Sequence, residues 1–340
     1  MKNILAIETS CDDTSVAIVN SKAEVILCLT ASQDLVHEPF GGIVPEIASR
    51  NHTKHLLPLV EKAMDTSGLS WKDISGIAVT NRPGLVGSLI VGLVTAKTLA
   101  LAYEIPFIGV HHIEGHIMAP FLRDDEYKGP DFFKDPFLAL VVSGGHTQLY
   151  EVNGFGHYQV LGQTMDDAAG EAFDKFAKMM GLGYPGGVQV DRLAKSGNIK
   201  AFSFPRPLLN EDHFNFSFSG LKSAAQRQLE KLPQDKDEPL VADLCASYQQ
   251  AIVDVLCGKL VKASFDKGIK NVIVSGGVSA NSSLRNHLQA EAEKNGWQLA
   301  IPPLRFCTDN AAMIALAGHF RLQQGDQSSQ ELAPQARAEL

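Results

Sequence analysis

"PFLALVVSGGHTQLYEVN", residues 136–153, is an apolar run, a turn of small polar residues, and a second apolar run. Residues 2–20, "KNILAIETSCDDTSVAIVN", have the same form. At one constant offset Ala6 falls on Ala139, Ser10 on Ser143 and Thr14 on Thr147. Short apolar runs bounded by turn residues read as strands buried on both faces. A strand–turn–strand unit that recurs within one chain predicts two similar lobes.

Both hairpins are followed by alternation. After the first come a helical stretch (52–68), a strand (74–80), an apolar helix (87–103) and a strand (105–110). After the second come a helix over 166–181 stopped by Gly181, another over 245–268, and a strand–turn–helix over 270–296. Strands alternating with helices give an α/β fold class with mixed sheets. The charged, proline-bearing stretch 123–136 is the expected boundary. It separates lobe I (1–130, with 307–325 returning to it) from lobe II (131–306), and leaves 326–340 as a disordered polar tail.

A chain of 340 residues is long for one core, which agrees with two lobes. The net charge of −8 argues against gripping nucleic acid by bulk electrostatics. Arg50, Lys54 and Arg82 offer at most a narrow basic cluster. The start, MKNILAIETS, has too short an apolar run for a signal peptide. The glycine-studded run from Leu85 to Tyr103, with Lys97 inside it, fits a buried helix better than a membrane span. Five cysteines without C-x-x-C spacing fit reduced thiols, hence a cytoplasmic, membrane-free protein.

Two Ser-Gly-Gly turns, at Ser143-Gly144-Gly145 and Ser275-Gly276-Gly277, each follow an apolar run. Such turns let backbone N–H groups approach an anion. Neither matches a P-loop or a dinucleotide fingerprint. With the acidic hairpin from Ser10 to Thr14 they suggest a shared nucleotide cleft. Asp167, Glu171 and Asp174 fall on one helical stripe, followed by the tract Gly183 to Gly187 and Asp191. That stripe is either a solvated face or a ribose site.

"VHHIEGHIMAPF", residues 110–121, crowds three histidines. In a helix His112 and His116 are i and i+4, so both rings can reach one metal ion. Glu114 falls nearly opposite, unlike the glutamate of the zinc-peptidase motif. Two histidines need a third donor. Asp309 is the carboxylate candidate, although as a helix N-cap it has a simpler role, and Cys307 is the soft alternative. A pair of hydrogen-bonded core histidines is the competing reading.

"ETSCDDT", "GGIVPEIASRNH", "HHIEGH", "VSGGHT", "DDAAGEAFDK", "YPGG", "FSFSGLK", "GGVSAN" and "FCTDNAAM" occur together and in order. In these motifs, across residues 1 to 320, the chain resembles the bacterial tRNA N6-adenosine threonylcarbamoyltransferases, the TsaD family, formerly known as O-sialoglycoprotein endopeptidases. The resemblance implies an actin-like fold, as in sugar kinases and chaperone ATPases, with a ligand cleft between two similar lobes. It implies metal ligands at His112, His116 and Asp309, binding one Fe2+ per chain, with zinc able to take the same ligands. It implies substrate contacts at Val141, Val142, Ser143, Gly144, Gly145, Asp174, Gly187, Asp191 and Asn281, with Ser10, Gly276 and Gly277 nearby in the cleft. The implied reaction moves threonylcarbamoyl from threonylcarbamoyl-adenylate to N6 of adenosine 37 in tRNAs reading codons that begin with A. The implied partners are tRNA, the paralogue TsaB and the ATPase TsaE.

Two positions depart from the family pattern. Arg82 stands where the T-x-G-P-G-L loop has glycine, which predicts backbone strain. Asp13 is one methylene shorter than the glutamate common there. No residue declares itself the general base, and Glu114, Asp12 and Asp13 are the candidates. A metal-dependent glycopeptidase and a nucleotide-binding regulatory ATPase are the alternative functions.

Overall fold

The computed structural model describes residues 2–233 and 237–340. Two compact units emerge. One holds the chain up to Asp131 together with Pro302–Leu340, and the other is Phe132–Ile301.

The first unit opens with strands β1 (Asn3–Glu8), β2 (Thr14–Asn20) and β3 (Val25–Ala31). The short helix α1 (Asp34–His37) and the long α2 (Pro45–Ser67) follow. Then come β4 (Ile74–Arg82), α3 (Val86–Tyr103), β5 (Phe107–His111) and α4 (His112–Met118). The second unit has β6 (Phe137–Val142), β7 (Thr147–Val152), β8 (Tyr158–Gln163), α5 (Ala169–Met180), α6 (Gly186–Ala194) and α7 (Ser219–Leu229). It continues through α8 (Glu238–Lys267), β9 (Asn271–Ser275), α9 (Ser282–Asn295) and β10 (Gln298–Ala300). Helix α10 (Ala311–Gln323) belongs to the first unit again.

Each unit carries a five-stranded sheet of the same design. The orders are β3-β2-β1-β4-β5 and β8-β7-β6-β9-β10. In both, the middle strand pairs antiparallel with its hairpin partner and parallel with the next strand of the sheet. The hairpin registers match as well. Ile7 faces Val16, and at the offset that sets Ala6 on Ala139 these positions become Leu140 and Leu149, which also face each other.

In the first unit β1 buries both faces because its side chains alternate. Leu5 and Ile7 join Leu56, Val60 and Leu93 in one core. On the other face α10 approaches the sheet so closely that a Cβ on Gly318 would strike Ala78. Helices α3 and α8 are both long and apolar enough to cross a membrane by length and composition. Helix α8 is mostly buried in protein. Helix α3 buries only one face, with Leu89, Leu93 and Ala96 inward while Ile90, Val94 and Leu101 stay exposed. The expectation of a wholly buried helix there is therefore half right.

Two expectations are corrected. Residues 326–340 are not a disordered tail. Ser328 N donates to Phe107 O (2.9 Å) and Ser328 Oγ accepts from Gly109 N (3.0 Å), so this segment satisfies backbone groups on the open edge of β5. Lys97 Nζ clamps the carbonyls of Gln330 and Leu332, and Leu332 packs against the core. A polar segment gains order here by pairing an edge that would otherwise face water. Arg82, secondly, is not strained. It ends β4 opposite His111 after a shift of register past Thr80, and it is absent from the residues with positive φ. The irregularity in the strand removes the need for glycine.

Candidate functional site

In the first unit the donor groups collect where strands end. Strand β1 finishes at Glu8, β4 at Arg82 and β5 at His111. Helix α4 begins at once with His112, so His112 and His116 lie one turn apart on one face. Their rings meet edge to face with centroids 4.7 Å apart. Asp309 comes from the loop before α10. Its Oδ1 lies 3.4 Å from His112 Nε2 and 3.1 Å from His116 Nε2. The N-cap of α10 is Asn310, whose side chain accepts from Met313 N (3.0 Å). The capping role read for Asp309 thus belongs to its neighbour, and Asp309 turns to the histidines instead. Cys307 is not brought to them, since its thiol donates to the carbonyls of Pro302 and Pro303.

Asp309 stands at metal-site spacing from each histidine. Donors at about 2.1 Å from one ion lie roughly 3.0–3.4 Å apart in octahedral or tetrahedral arrangements. His112, His116 and Asp309 have ligand atoms within 4.8 Å of one another. Nδ1 of buried His116 has no hydrogen-bond partner among the described residues, and its Nε2 has the 3.1 Å approach of Asp309 Oδ1. A buried imidazole with so few partners is costly, and an ion at Nε2 would add one. The donor set therefore fits a divalent cation.

Glu8 is the site residue that sequence reasoning missed. It is wholly buried and accepts from Ser10 N and from Thr80 Oγ1. His112 Nδ1 lies 3.1 Å from Glu8 Oε2 and 3.1 Å from Ser10 Oγ. A carboxylate behind a histidine fixes its tautomer and leaves the outer nitrogen for a metal. The available signal was a glutamate ending an apolar strand, where a buried acid needs a partner.

Charge follows this geometry. Burial opposes ionisation of Asp309, but His112 and then His116 hold its carboxyl well below the usual range. Burial works against charge on His112 too, yet Asp309 and Glu8 on its two sides raise its pKa well above the ordinary value. For Glu8 burial is again outweighed, chiefly by His112, and its pKa is lowered. Burial lowers His116 despite its contact with Asp309. In the turn after β1, burial and then Asp309 raise Asp12. Burial and then Asp12 push Asp13 up to about 8.

Glu114 plays a different part. It is wholly buried and forms a two-pronged ion pair with Arg321 of α10, with Oε1 to Nη2 at 2.8 Å and Oε2 to Nε at 2.9 Å. Committed to that guanidinium, it is a poor general base. Arg82 Nη1 donates to Asn81 Oδ1 (3.1 Å).

The second unit places its predicted residues around the ends of β6 and β9. After Val141 and Val142, Ser143 N donates to His146 O (2.8 Å) and Ser143 Oγ accepts from His146 N (3.1 Å). The turn thus closes on itself. Gly144 and Gly145 are exposed, with open space where a Cβ would point. Ser143 O accepts from Gly170 N (3.2 Å), which ties the start of α5 to the turn. Gly276 has φ +89°, and a Cβ there would collide with the Val142 carbonyl. Gly277 is open.

The polar candidates of this unit hold helix starts. Asp174 Oδ1 accepts from Gly186 N (2.8 Å) beside Gly187. Asp191 Oδ1 accepts from Ser282 N and Oγ. Asn281 caps α9 through Leu284 N, and its Nδ2 donates to Gln249 (2.7 Å). The acidic stripe expected over Asp167, Glu171 and Asp174 is divided. Asp167 precedes α5, and it shares Lys175 with Glu171 while Asp174 faces Gly186.

Comparison with known proteins adds the following. The family described as "TsaD: tRNA N6-adenosine threonylcarbamoyltransferase" matches residues 24–316. A tRNA N6-adenosine threonylcarbamoyltransferase of Bdellovibrio bacteriovorus is 57% identical over 338 residues, covering 99% of this chain and 98% of that protein. One from Trichlorobacter lovleyi is 51% identical over 324 residues, covering 95% and 93%. Among solved structures, HypF of T. kodakarensis matches 95% of this chain and 48% of its own, at TM-score 0.63 and 14% identity. That likeness shows the fold alone, which is actin-like.

Proposed function

The chain belongs to the TsaD family of tRNA N6-adenosine threonylcarbamoyltransferases, and on that premise we propose that it transfers threonylcarbamoyl from threonylcarbamoyl-adenylate to N6 of adenosine 37 in tRNAs reading codons that begin with A. The observation that carries the chemistry is the convergence of His112, His116 and Asp309, with Glu8 behind His112.

The adenylate is a mixed anhydride. N6 of the adenine attacks its carbonyl carbon, a C–N bond forms, the bond to the phosphate oxygen breaks, and AMP leaves with that electron pair. The N6 proton passes to a base. His112, His116 and Asp309 would hold a divalent ion, iron or zinc by the donor set, which when bound would supply positive charge for the oxygens that become more negative. With the ion bound, Glu8 would keep the proton of His112 on Nδ1 and leave the Nε2 lone pair to the ion. Asp12 and Asp13 are the candidates for the base, since Glu114 is held by Arg321. The open backbone of Gly144, Gly145 and Gly277 is the surface offered to adenylate oxygens. Asp174, Asp191 and Asn281 keep the neighbouring helix starts in place.

The net charge of −8 supports a need for partner proteins when tRNA is bound. A TsaB-type paralogue and a TsaE-type ATPase fill that role in this reading. The exposed apolar stripe Ile90, Val94 and Leu101 supports a protein partner of some kind. The glycopeptidase alternative loses Glu114 as its base, because Glu114 is ion-paired with Arg321.

The test is transfer of label from threonine-labelled adenylate to tRNA by the chain with its partners. Transfer should vanish in His116→Ala and in Asp309→Ala while both variants keep a native melting curve. Undiminished transfer in both would overturn the assignment of the centre.

A further inference from the structure

Resting on the reading of His112, His116 and Asp309 as a metal centre, we propose that His111 is a positioning residue for that centre, set in place by the C-terminal segment 328–338. His111 ends β5 and is the N-cap of α4. Its Nδ1 accepts from Ile113 N at 3.2 Å. An accepting Nδ1 carries no proton, so the neutral ring holds its proton on Nε2. That Nε2 lies 3.3 Å from the carbonyl oxygen of Ala338, which can only accept. The carbonyl therefore selects the one tautomer able to cap the helix.

The cap matters because α4 has seven residues, too few to stand by helix propensity, and its first residue is His112. Its orientation sets both imidazoles of the centre. Serine, threonine, aspartate and asparagine are the usual caps, and none of them has a tautomer to choose. An imidazole in that place needs a fixed proton, and at 2% exposure His111 draws little help from water. The segment that supplies the carbonyl is itself anchored beside it. Gln335 N donates to Asn81 O (2.9 Å) and Gly84 N donates to Ala336 O (3.3 Å). The Lys97 clamp and Leu332 hold the preceding residues.

The experiment titrates Zn2+ against a competing chelator in five metal-stripped chains. These are the native chain, His111→Ala, His111→Asn, a chain ending at Gln335, and that shortened chain carrying His111→Ala. Ending at Gln335 keeps the Lys97 clamp and Leu332 and removes the Ala338 carbonyl. His111→Ala should weaken zinc binding about 10-fold, the loss of a helix cap passed on to the two histidines that α4 carries. Shortening should weaken it by a smaller factor. The doubly altered chain should bind no more weakly than His111→Ala, because both changes break one linkage. His111→Asn restores a cap without a tautomer, so it should recover most of the loss.

Native affinity in both His111→Ala and the shortened chain would overturn the proposal. So would losses that multiply in the doubly altered chain, or a His111→Asn chain as weak as His111→Ala. A His112→Ala chain run alongside separates the two readings. If it binds zinc as tightly as the native chain, the metal centre itself is wrong. If it does not, any failure above belongs to His111 alone.

Discussion

The two units share one strand order and one hairpin register, yet the ends of their central strands do different chemistry. In the first unit the strand ends on Glu8, a buried acid that backs a histidine. At the equivalent place the second unit has Val141, paired with Gln148 just as Glu8 pairs with Ser15. One substitution in a common frame separates an end that gathers charge from an end that stays apolar and opens its backbone at Gly144 and Gly145. The topology supplies a site at the ends of the strands. In the reading proposed above, the residues there decide whether it takes a cation or an oxygen-rich ligand.

Four tests, with six substitutions among them, would break or sharpen that contrast. The largest effect is expected for Asp309→Ala, which removes the one carboxylate that touches both histidines. Transfer to tRNA should fall about 10²–10³-fold or more, as when a group that stabilises developing charge is lost. Next is the pair that defines the comparison. Glu8→Gln should weaken metal binding about 10–100-fold. Val141→Ala should leave metal binding alone and cost about 2 kcal/mol in denaturant unfolding. Equal effects of the two on metal affinity would show that the shared frame, and not the acid, governs the site.

Glu114→Ala should then cost about 2–3 kcal/mol, less than breaking a fully buried pair, because Arg321 keeps some access to water. Metal content should stay native, which distinguishes this glutamate from Glu8. The smallest contrast lies within the second unit. Gly276→Ala should cost about 1–3 kcal/mol, since its backbone is left-handed and a Cβ meets Val142. Gly144→Ala should shift stability by less than about 0.5 kcal/mol, because the space there is open. Calorimetry with AMP should nevertheless show weaker binding to the Gly144→Ala chain. Unchanged AMP affinity would remove Gly144 from the ligand surface.

What was legible in the sequence was what depends on spacing. The repeat of Ser10 in Ser143 predicted two like strand–turn–strand units, because such a unit carries its own pattern of apolar runs and turn residues. The i, i+4 spacing placed His112 and His116 on one face by the period of a helix. What was not legible depends on partners distant along the chain. Glu8 reads as an ordinary polar strand end until His112 arrives at the start of α4. Glu114 looks like a candidate base until Arg321 arrives from α10. Residues 326–340 look disordered by composition, and the open edge of β5, the Lys97 clamp and the backbone of Asn81 and Gly84 give them order. Asp309 and Asn310 are neighbours with equal capping ability, so composition could not say which one caps α10. The backbone settles it, and that frees Asp309 for the histidines.

The measurement closest to the central claim is metal content per chain, by mass spectrometry, in the native protein, His116→Ala and Glu114→Ala, each with a thermal melt. The account predicts about one ion in the native chain and in Glu114→Ala, and almost none in folded His116→Ala, since a site that loses one of three protein donors releases its ion. A folded His116→Ala chain that still carries a full equivalent of metal would contradict it.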